Sequence, residues 1–479
     1  MNRTRCVPLS FLLCVSSLVS VAARSASAEL AVGFAEVDVT PIVDDEHTVW
    51  MAGYGWNRKA TGIHDPLFAR CTVLSDGKKR IAFAAVDVVG LQYPTVERIR
   101  KQVTEDSEIG EFAYVMVNSS HNHEGPDTIG IWGRNPFHRG VDEEYMTSMV
   151  DKVVQCIKEA AKSLTPVTAH YGTATDDRLV GDSRKPVVKD ATLRLIRFEH
   201  ATTKKPAGLL VQWNSHPEAL GSKNTLITAD FPYETIRRLK ETYQCPIAYY
   251  TGAVGGLMAP PDNIFMDAEG NVLREGDFAY AEAYGRAVAD LAVKANDATK
   301  PIMLTPFRIA ASPIAVQVQN PLYRAASVAG VVRRDRVKWV GDFDKADVPT
   351  DRGTKRDSMC VRTEVGYLKL GELSVACIPG EIYPELVYGK FQDPPEPNAD
   401  FPNAPLEKHV EQLLPDKKWL LFGLANDELG YIIPKRQWDQ KPPYAYGRKK
   451  SQYGEVNSCG DHIAPLIMEA LERRVAEIQ

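Results

Sequence analysis

The chain has 479 residues, of which 44% are hydrophobic and 25% are charged, and its formal net charge is -5. This is the ordinary balance of a globular protein, and the length is sufficient for one large domain or two closely packed lobes. The mildly acidic charge, with no sustained basic face, argues against nucleic acid as a partner.

The N-terminus is typical of a secretory signal peptide. Arg3 and Arg5 precede an apolar segment, residues 7–22, and an Ala-Ser-Ala tripeptide ends at Ala28. Several serines within the apolar segment make it a poor membrane-spanning helix. We therefore predict that residues 1–28 are a signal peptide cleaved after Ala28. The mature protein is expected to be exported, to the periplasm or out of the cell, without a transmembrane segment.

Six of the eight cysteines follow the predicted cleavage site, and none of them shows the paired CxxC spacing of a zinc site. A metal site built from cysteines is therefore not predicted. Spacing alone leaves open whether these cysteines form disulfides or remain buried free thiols.

Strands and helices alternate in the first part of the mature chain. Residues 80–89 are almost continuously apolar, which is typical of a strand buried on both faces. Residues 93–103 favour a helix and residues 112–117 favour the next strand, so this order predicts a βαβ unit. The apolar spacing over residues 142–163 predicts an amphipathic helix.

The strand predicted at residues 112–117 is followed by a polar loop that contains His121, His123, Glu124 and Asp127. Loops at strand ends often carry the chemistry of α/β proteins. We expect His121 and His123 on the same side of an extended backbone, because side chains alternate with period two along it. Imidazole and carboxylate are ligands that suit zinc. On its own, this loop is equally compatible with a polar surface segment.

Two further strands end in segments of chemical interest. The strand predicted at residues 209–213 precedes His216. The proline that follows His216 favours an extended conformation there, and His216 is a candidate third ligand. The strand predicted at residues 247–251 runs into a glycine-rich segment at residues 252–256. That segment lacks the motif of a phosphate-binding loop, so we interpret it as a tight turn that brings backbone close to a ligand.

The polar clusters at strand ends, taken in order, resemble the neutral ceramidase family of secreted zinc amidases, from about residue 32 to about residue 468. The family's Thr-His-Thr-His-Ser-Gly-Pro loop is similar to Ser-His-Asn-His-Glu-Gly-Pro here. The other matches are to the family's Asn-Phe-Ala-x-His-Pro, Ala-Asp-Tyr-Pro, Pro-Gly-Glu and Tyr-Ile-Thr-Thr segments. The matching segments of this chain are residues 120–126, 213–217, 229–232, 379–381 and 431–433.

This resemblance implies one zinc ion with water at the remaining coordination position. The implied metal ligands are His121, His216, Glu381 and Tyr431. It also implies three residues on the substrate side. Those residues are His123, Arg184 and Tyr453, the last two matching the family's Asn-Arg-Ser arginine and Gln-x-Tyr-Glu tyrosine.

The chain departs from the family in two respects. The family's Gly-Asp-Val-Ser-Pro-Asn segment, whose serine has a catalytic role, corresponds to Gly-Ala-Val-Gly-Gly at residues 252–256, so the serine is absent. The chain also ends soon after the last motif. We therefore predict an α/β fold of mixed β-sheets flanked by helices, with a metal site at strand exits and no C-terminal immunoglobulin-like domain. Residues 29–479 are expected to form the ceramidase-like catalytic domain, with a second lobe from about residue 301 as an open alternative.

Without a serine nucleophile, the resemblance predicts a secreted zinc-dependent hydrolase that cleaves an N-acyl amide by zinc-activated water. Its substrate would be ceramide-like or another lipid-like small molecule. Glu124 is the first candidate for the general base and Asp127 the second. His123 and Tyr453 would stabilise the developing oxyanion, and Arg184 would orient a polar head group.

Three alternatives remain open from the sequence. Glu124, Asp127 and Asp230 could complete a site for a second metal ion. The same scaffold could cleave an ester or glycosidic bond, or it could be a binding protein that has lost catalysis. The sequence does not indicate the oligomeric state.

Overall fold

The computed structural model describes residue 1, residues 29–351 and residues 353–479. Residues 2–28, which make up nearly all of the predicted signal peptide, lie outside the described residues. Within the described ranges, no helix has both the length and the apolar composition needed to cross a bilayer.

The described residues form an α/β structure with both long and very short strands. The strands, in chain order, are β1 (Ala31–Asp38), β2 (Gly62–Ile63), β3 (Phe68–Ser75), β4 (Arg80–Val86), β5 (Tyr114–Ser119), β6 (Thr165–Thr175), β7 (Gly181–Asp182), β8 (Thr192–His200), β9 (Pro206–Trp213), β10 (Leu226–Ile227), β11 (Ile247–Thr251), β12 (Met258–Ala259), β13 (Lys300–Ile302), β14 (Phe307–Gln317), β15 (Arg336–Lys338), β16 (Met359–Leu370), β17 (Leu373–Cys377), β18 (Glu381–Ile382), β19 (Trp419–Phe422) and β20 (Tyr431–Ile432). The α-helices are α1 (Tyr93–Glu105), α2 (Glu143–Lys162), α3 (Phe231–Tyr243), α4 (Phe278–Asp297), α5 (Pro321–Val328), α6 (Pro384–Tyr388), α7 (Val410–Leu413) and α8 (Ile463–Ile478).

Two mixed sheets organise these elements. The larger sheet has the spatial order β11-β9-β8-β6-β1-β3-β4-β5, with β13 also pairing with β6. In it β4 and β5 are parallel and α1 connects them, which confirms the predicted βαβ unit. The smaller sheet has the order β14-β16-β17-β19, with β15 pairing with β16. The predicted α/β class with mixed sheets is therefore confirmed.

The two sheets pack face to face, and helices cover their outer faces. Strand β4 shows the arrangement, because its successive side chains point to opposite faces. Ala82, Ala84 and Val86 pack with residues of α1 and α2, whereas Ile81 and Phe83 pack with residues of the smaller sheet. Helices α3 and α4 cover the other half of the larger sheet, and α8 packs on β14 and β16. The resulting layers are helix, sheet, sheet and helix.

Helix α2 illustrates how the local sequence fixes an element. Asp142 precedes it and accepts hydrogen bonds from the backbone N–H groups of Glu144 and Tyr145, which is N-capping. The prediction for residues 142–163 is therefore confirmed to within one residue at each end. The six cysteines in the described part of the chain are buried and unpaired. The division of the chain into lobes stays a prediction.

We expect the G33A substitution to destabilise the fold through the contact between β1 and α2. A Cβ atom on Gly33 would lie 1.9 Å from the carbonyl oxygen of Ala160 in α2. Overpacking of this kind typically costs about 1–3 kcal/mol. Urea unfolding monitored by circular dichroism measures this loss. The matched control is G55A, because Gly55 has no neighbouring atom within 4 Å of an added Cβ, and its effect should stay within about 0.5 kcal/mol. Equal stability of both variants would contradict the prediction.

Candidate metal centre

Strand ends from both sheets meet at one point in the interior. Strands β5 and β11 lie at opposite ends of the spatial order of the larger sheet, yet Asn118 in β5 is bonded directly to Thr251 in β11. The amide oxygen of Asn118 accepts from the N–H of Thr251 at 3.1 Å. Its amide nitrogen donates to the carbonyl of Gly423, just after β19, at 2.6 Å. The loops that follow these strands are therefore brought together.

The loop after β5 places two histidine rings side by side, but not for the predicted reason. The strand ends at Ser119, and His121 has φ of +66°, in the left-handed region that non-glycine residues rarely occupy. The expectation of an extended backbone through His121 is therefore wrong. The His121 and His123 ring centroids lie 4.8 Å apart because the chain turns at His121. Such strain is found mainly at functional sites.

His216, from the loop after β9, completes a buried group of three imidazoles. Each ring can offer one nitrogen atom as a ligand, and the three nitrogen atoms lie within 4.8 Å of one another. The Nδ1 of His121 donates to the carbonyl of Val89 at 2.7 Å. The Nδ1 of His216 donates to the carbonyl of Met258 at 2.7 Å. These bonds fix the tautomer and leave the Nε2 lone pair of each ring available to a ligand.

The Glu381 carboxylate from β18 lies among these rings. Its Oε2 is 3.0 Å from the Nε2 of His216 and 3.4 Å from the Nε2 of His121. The Nε2 atoms of His121 and His123 are 3.3 Å apart. Ligand atoms about 2.0–2.2 Å from a tetrahedral zinc ion lie about 3.3–3.6 Å from one another. The spacing and the donor types fit a zinc ion.

Burial and the neighbouring histidines shift the pKa of Glu381 in opposite directions. Burial by itself would raise the pKa of Glu381, but the adjacent His121 and His216 lower it to about 2. Burial lowers the pKa of His123 well below its usual value, and the neighbouring imidazoles lower it further. An ionised carboxylate and a neutral imidazole are the forms that bind metal.

The structure places Tyr431 next to Glu381, because the two residues are paired in the parallel β18–β20 ladder. Its ring packs edge-on against Tyr453 and Tyr383, with centroids 5.9 and 6.2 Å away. Burial raises the pKa of Tyr431 well above its usual value. Half of Tyr453 is exposed, so the tyrosines form a wall from the centre to the surface.

Arg184 lies behind this wall rather than in the centre. Its guanidinium forms a two-point ion pair with Glu455, at 2.7 and 3.0 Å. It also donates to the backbone carbonyls of Gln437 and Tyr453. Its polar contacts therefore hold the segment that carries Tyr453 in place.

The two predicted base candidates have different surroundings. Glu124 is fully buried, and its Oε2 accepts from Arg58 at 3.2 Å and from Asn224 at 2.8 Å. Its Oε1 has no hydrogen-bond partner among the described residues, and burial raises its pKa to about 8. Asp127 instead accepts the backbone N–H groups of residues 129, 130 and 132. That pattern stabilises the loop.

Sequence reasoning gave no role to two residues that contact His123. The Oε2 of Glu218 is 3.4 Å from the Nδ1 of His123. The ring of Tyr54 packs edge-on against His123 with centroids 5.4 Å apart. The position of Glu218 two residues after His216 could have predicted that it lies near the site. Tyr54 is distant in sequence from every motif, so no comparable pattern pointed to it.

The structure also bears on the alternative of a second metal ion. Among the described residues, the one group of histidine, cysteine and acidic side chains close enough to hold a metal is His121, His123 and His216. Both oxygens of Asp230 accept backbone N–H groups, from Phe231 at 2.6 Å and Leu220 at 3.1 Å. Asp230 therefore serves as the cap of α3.

The glycine-rich turn after β11 packs against the strand that carries Glu381. A Cβ atom on Gly255 would lie 2.6 Å from the carbonyl oxygen of Glu381. The backbone N–H of Gly255 donates to the carbonyl of Ile382 at 3.0 Å. Any side chain at Gly255 would therefore displace β18. The turn therefore lies close to the protein's own backbone, and its approach to a ligand stays a prediction.

A buried imidazole group with metal-binding geometry at the strand ends of an α/β scaffold defines a candidate metal-dependent protein. Residues 30–179 match the family model described as neutral/alkaline non-lysosomal ceramidase, N-terminal. No curated protein sequence matches the chain.

Two solved structures share the fold over most of the chain. One is the crystal structure of neutral ceramidase from Pseudomonas aeruginosa, with a TM-score of 0.69 and 14% identity over 94% of this chain and 74% of that chain. The other is a ceramidase complexed with C2, with a TM-score of 0.68 and 14% identity over 94% of this chain and 75% of that chain. The predicted resemblance to neutral ceramidases is confirmed, and the chain has a ceramidase-like fold.

Proposed function

We propose that the protein is an exported zinc-dependent hydrolase that cleaves an N-acyl amide bond in a lipid-like small molecule. The observation that carries this proposal is the convergence of His121, His123, His216 and Glu381, with the measured separations of 3.0–3.4 Å. Zinc bound there supplies a Lewis acid that polarises a carbonyl and lowers the pKa of water to near neutrality. Export rests on the N-terminal sequence pattern.

The proposed roles of the protein's own residues follow from their contacts. His121 and His216 present Nε2 because carbonyl groups hold their Nδ1 protons. Tyr431 lies on the tyrosine wall beside Glu381 and stays our candidate for a further ligand. Glu124 is the proposed proton acceptor in its ionised form, which predominates above its pKa of about 8. Its Oε1 has no hydrogen-bond partner among the described residues, whereas both Asp127 oxygens accept backbone N–H groups.

Direct attack by water suits this chain better than an acyl-serine route. The turn that corresponds to the family's serine segment has Gly255 packed against the carbonyl of Glu381, which leaves no room for a serine side chain. The half-exposed Tyr453, whose ring packs against Tyr431, would contact the substrate. Arg184 would act on the substrate side by holding Tyr453 in place, since it donates to the Tyr453 carbonyl.

Replacement of a histidine tests the metal centre. We expect H216A to lower zinc affinity by more than about 100-fold, because loss of a direct ligand should exceed the 10–100-fold effect of losing an outer partner. Competition with a chromogenic chelator and elemental analysis measure this change. The control is H47A, since His47 is partly exposed and pairs with Asp44 at the surface. Normal zinc binding by H216A would exclude the proposed centre.

Replacement of Glu124 separates catalysis from metal binding. We expect E124Q to retain its zinc and to lose about 10²–10⁴-fold in kcat, the range that general base catalysis supplies. The control is E144Q, because Glu144 is exposed in the first turn of α2. Unchanged turnover by E124Q would remove Glu124 from the mechanism while leaving the zinc centre intact.

A substrate panel tests the bond that is cleaved. We expect the zinc-loaded protein to hydrolyse N-acyl sphingoid or N-acyl amino acid substrates, and chelation to abolish this turnover. Mass spectrometry of the released fatty acid and amine provides the measurement. Hydrolysis of esters or glycosides alone would replace the amide assignment with one of the other bonds. Ligand binding without hydrolysis of any substrate would favour a binding protein.

A further inference from the structure

The hydroxyl of Tyr453 is hydrogen-bonded by Asn457, four residues further along the chain. The Nδ2 of Asn457 donates to the phenol oxygen at 2.5 Å, in an exposed contact. The ring of Tyr453 packs edge-on against Tyr431, with centroids 5.9 Å apart. Half of Tyr453 is exposed. The phenol therefore has its ring against a candidate metal ligand and its hydroxyl in contact with an asparagine at the surface.

The direction of this hydrogen bond decides what the phenol can do next. A phenol oxygen can accept a hydrogen bond and donate one. The amide nitrogen of Asn457 only donates, so it occupies an acceptor position of the oxygen and cannot take the hydroxyl hydrogen. Within residues 29–351 and 353–479, the hydrogen bond described for this hydroxyl is the one from Asn457. The O–H of Tyr453 is therefore free to donate to a molecule that approaches from outside.

The backbone around Asn457 is fixed on both sides. Its own N–H donates to the carbonyl of Gly454 at 2.9 Å, which closes a tight turn. The buried Nδ2 of Asn320 donates to the carbonyl before it, on Val456, at 2.8 Å and to the carbonyl after it, on Ser458, at 2.9 Å. The amide of Asn457 is therefore presented from a turn that does not depend on solvent for its shape.

The same turn is packed against the strand of the metal centre. Gly430, directly before Tyr431, has φ of +83°. A Cβ atom on Gly430 would lie 1.7 Å from the carbonyl oxygen of Asn457. At the other end of the turn, Arg184 donates to the carbonyl of Tyr453. Both ends are thus held, and the position of the Tyr453 hydroxyl is set relative to Tyr431.

We propose that Asn457 is a positioning residue for Tyr453, whose hydroxyl it fixes as a hydrogen-bond donor to the substrate. By donating to the phenol oxygen, Asn457 keeps the O–H available for the carbonyl oxygen of the scissile amide, where negative charge develops. This inference rests on the proposed hydrolase function. It assigns the orientation of that donor to a residue that takes no part in holding the metal.

A double-mutant cycle on the full mature, zinc-loaded chain tests the inference with an N-acyl sphingoid substrate. We expect Y453F to lose about 10²–10³-fold in kcat, the range for one oxyanion donor. N457A should lose about 3–10-fold in kcat with KM unchanged, since it removes one neutral hydrogen bond. In the Y453F background N457A should have no further effect, because the hydroxyl that it positions is absent. The control is Q155A, which removes an exposed amide bonded to Glu159 on α2.

The N457D substitution separates the direction of the hydrogen bond from the shape of the turn. Aspartate matches asparagine in shape, but its ionised carboxylate only accepts hydrogen bonds and would take the O–H of Tyr453. We expect N457D to lose more kcat than N457A, and Y453F/N457D to equal Y453F. The tyrosine doublet in Raman difference spectra against the matching Y453F proteins gives a readout without turnover. It should report a phenol that accepts in the wild type and one that donates in N457D.

The outcomes separate this inference from the proposed function. If the wild type hydrolyses the substrate and N457A or N457D equals it, the positioning role fails and the hydrolase stands. Losses from N457A and Y453F that multiply would also overturn the inference, as would a higher KM alone, which indicates direct contact of Asn457 with substrate. If the wild type hydrolyses no substrate, both proposals fail. Zinc content and melting curves of each variant show that the losses refer to folded, loaded protein.

Discussion

The whole site depends on the buried amide of Asn118. Asn118 lies in β5, and its side-chain amide hydrogen-bonds to backbone groups at the ends of β11 and β19. Three strand ends from two sheets are thereby held at one point. Each buried backbone group left unpaired costs about 1–3 kcal/mol, so the convergence is strongly favoured over any looser arrangement. The loop that carries His121 leaves from the end of β5, and the segment after β19 leads to Tyr431, which pairs with Glu381 in the β18–β20 ladder.

The sequence predicted those features of the fold that depend on residues close to one another in the chain. The apolar run of β4, the periodicity of α2 and the chain order of β4, α1 and β5 depend on neighbouring residues, and they define the fold class. The histidine motifs led to His121 and His216 for the same reason. The left-handed turn at His121 and the bond from Asn118 to Thr251 depend on partners far along the chain. The spacing of residues in the sequence cannot predict these features. Tyr54 was missed for the same reason.

The chain differs from the family's motifs at two positions near the histidines. Where the family motif has a serine after the second histidine, this chain has Glu124, paired with Arg58. Where the family has a catalytic serine, Gly255 packs on the backbone of Glu381. One carboxylate thus replaces one hydroxyl beside the histidines, and the turn that would hold a nucleophile instead packs against the strand that carries Glu381. These changes are the reason for proposing attack by water rather than by a serine.

The contact between His216 and Glu381 joins residues 165 positions apart in the chain. Closing a long loop costs conformational entropy before the contact at its ends can stabilise the chain. Segments this far apart therefore meet only after most of the two sheets has formed. A divalent ion therefore has almost nothing to bind in the unfolded chain. If the proposed centre binds a metal ion, the affinity for that ion adds directly to the stability of the native state by mass action. Metal supply would then set how much of the protein survives proteolysis.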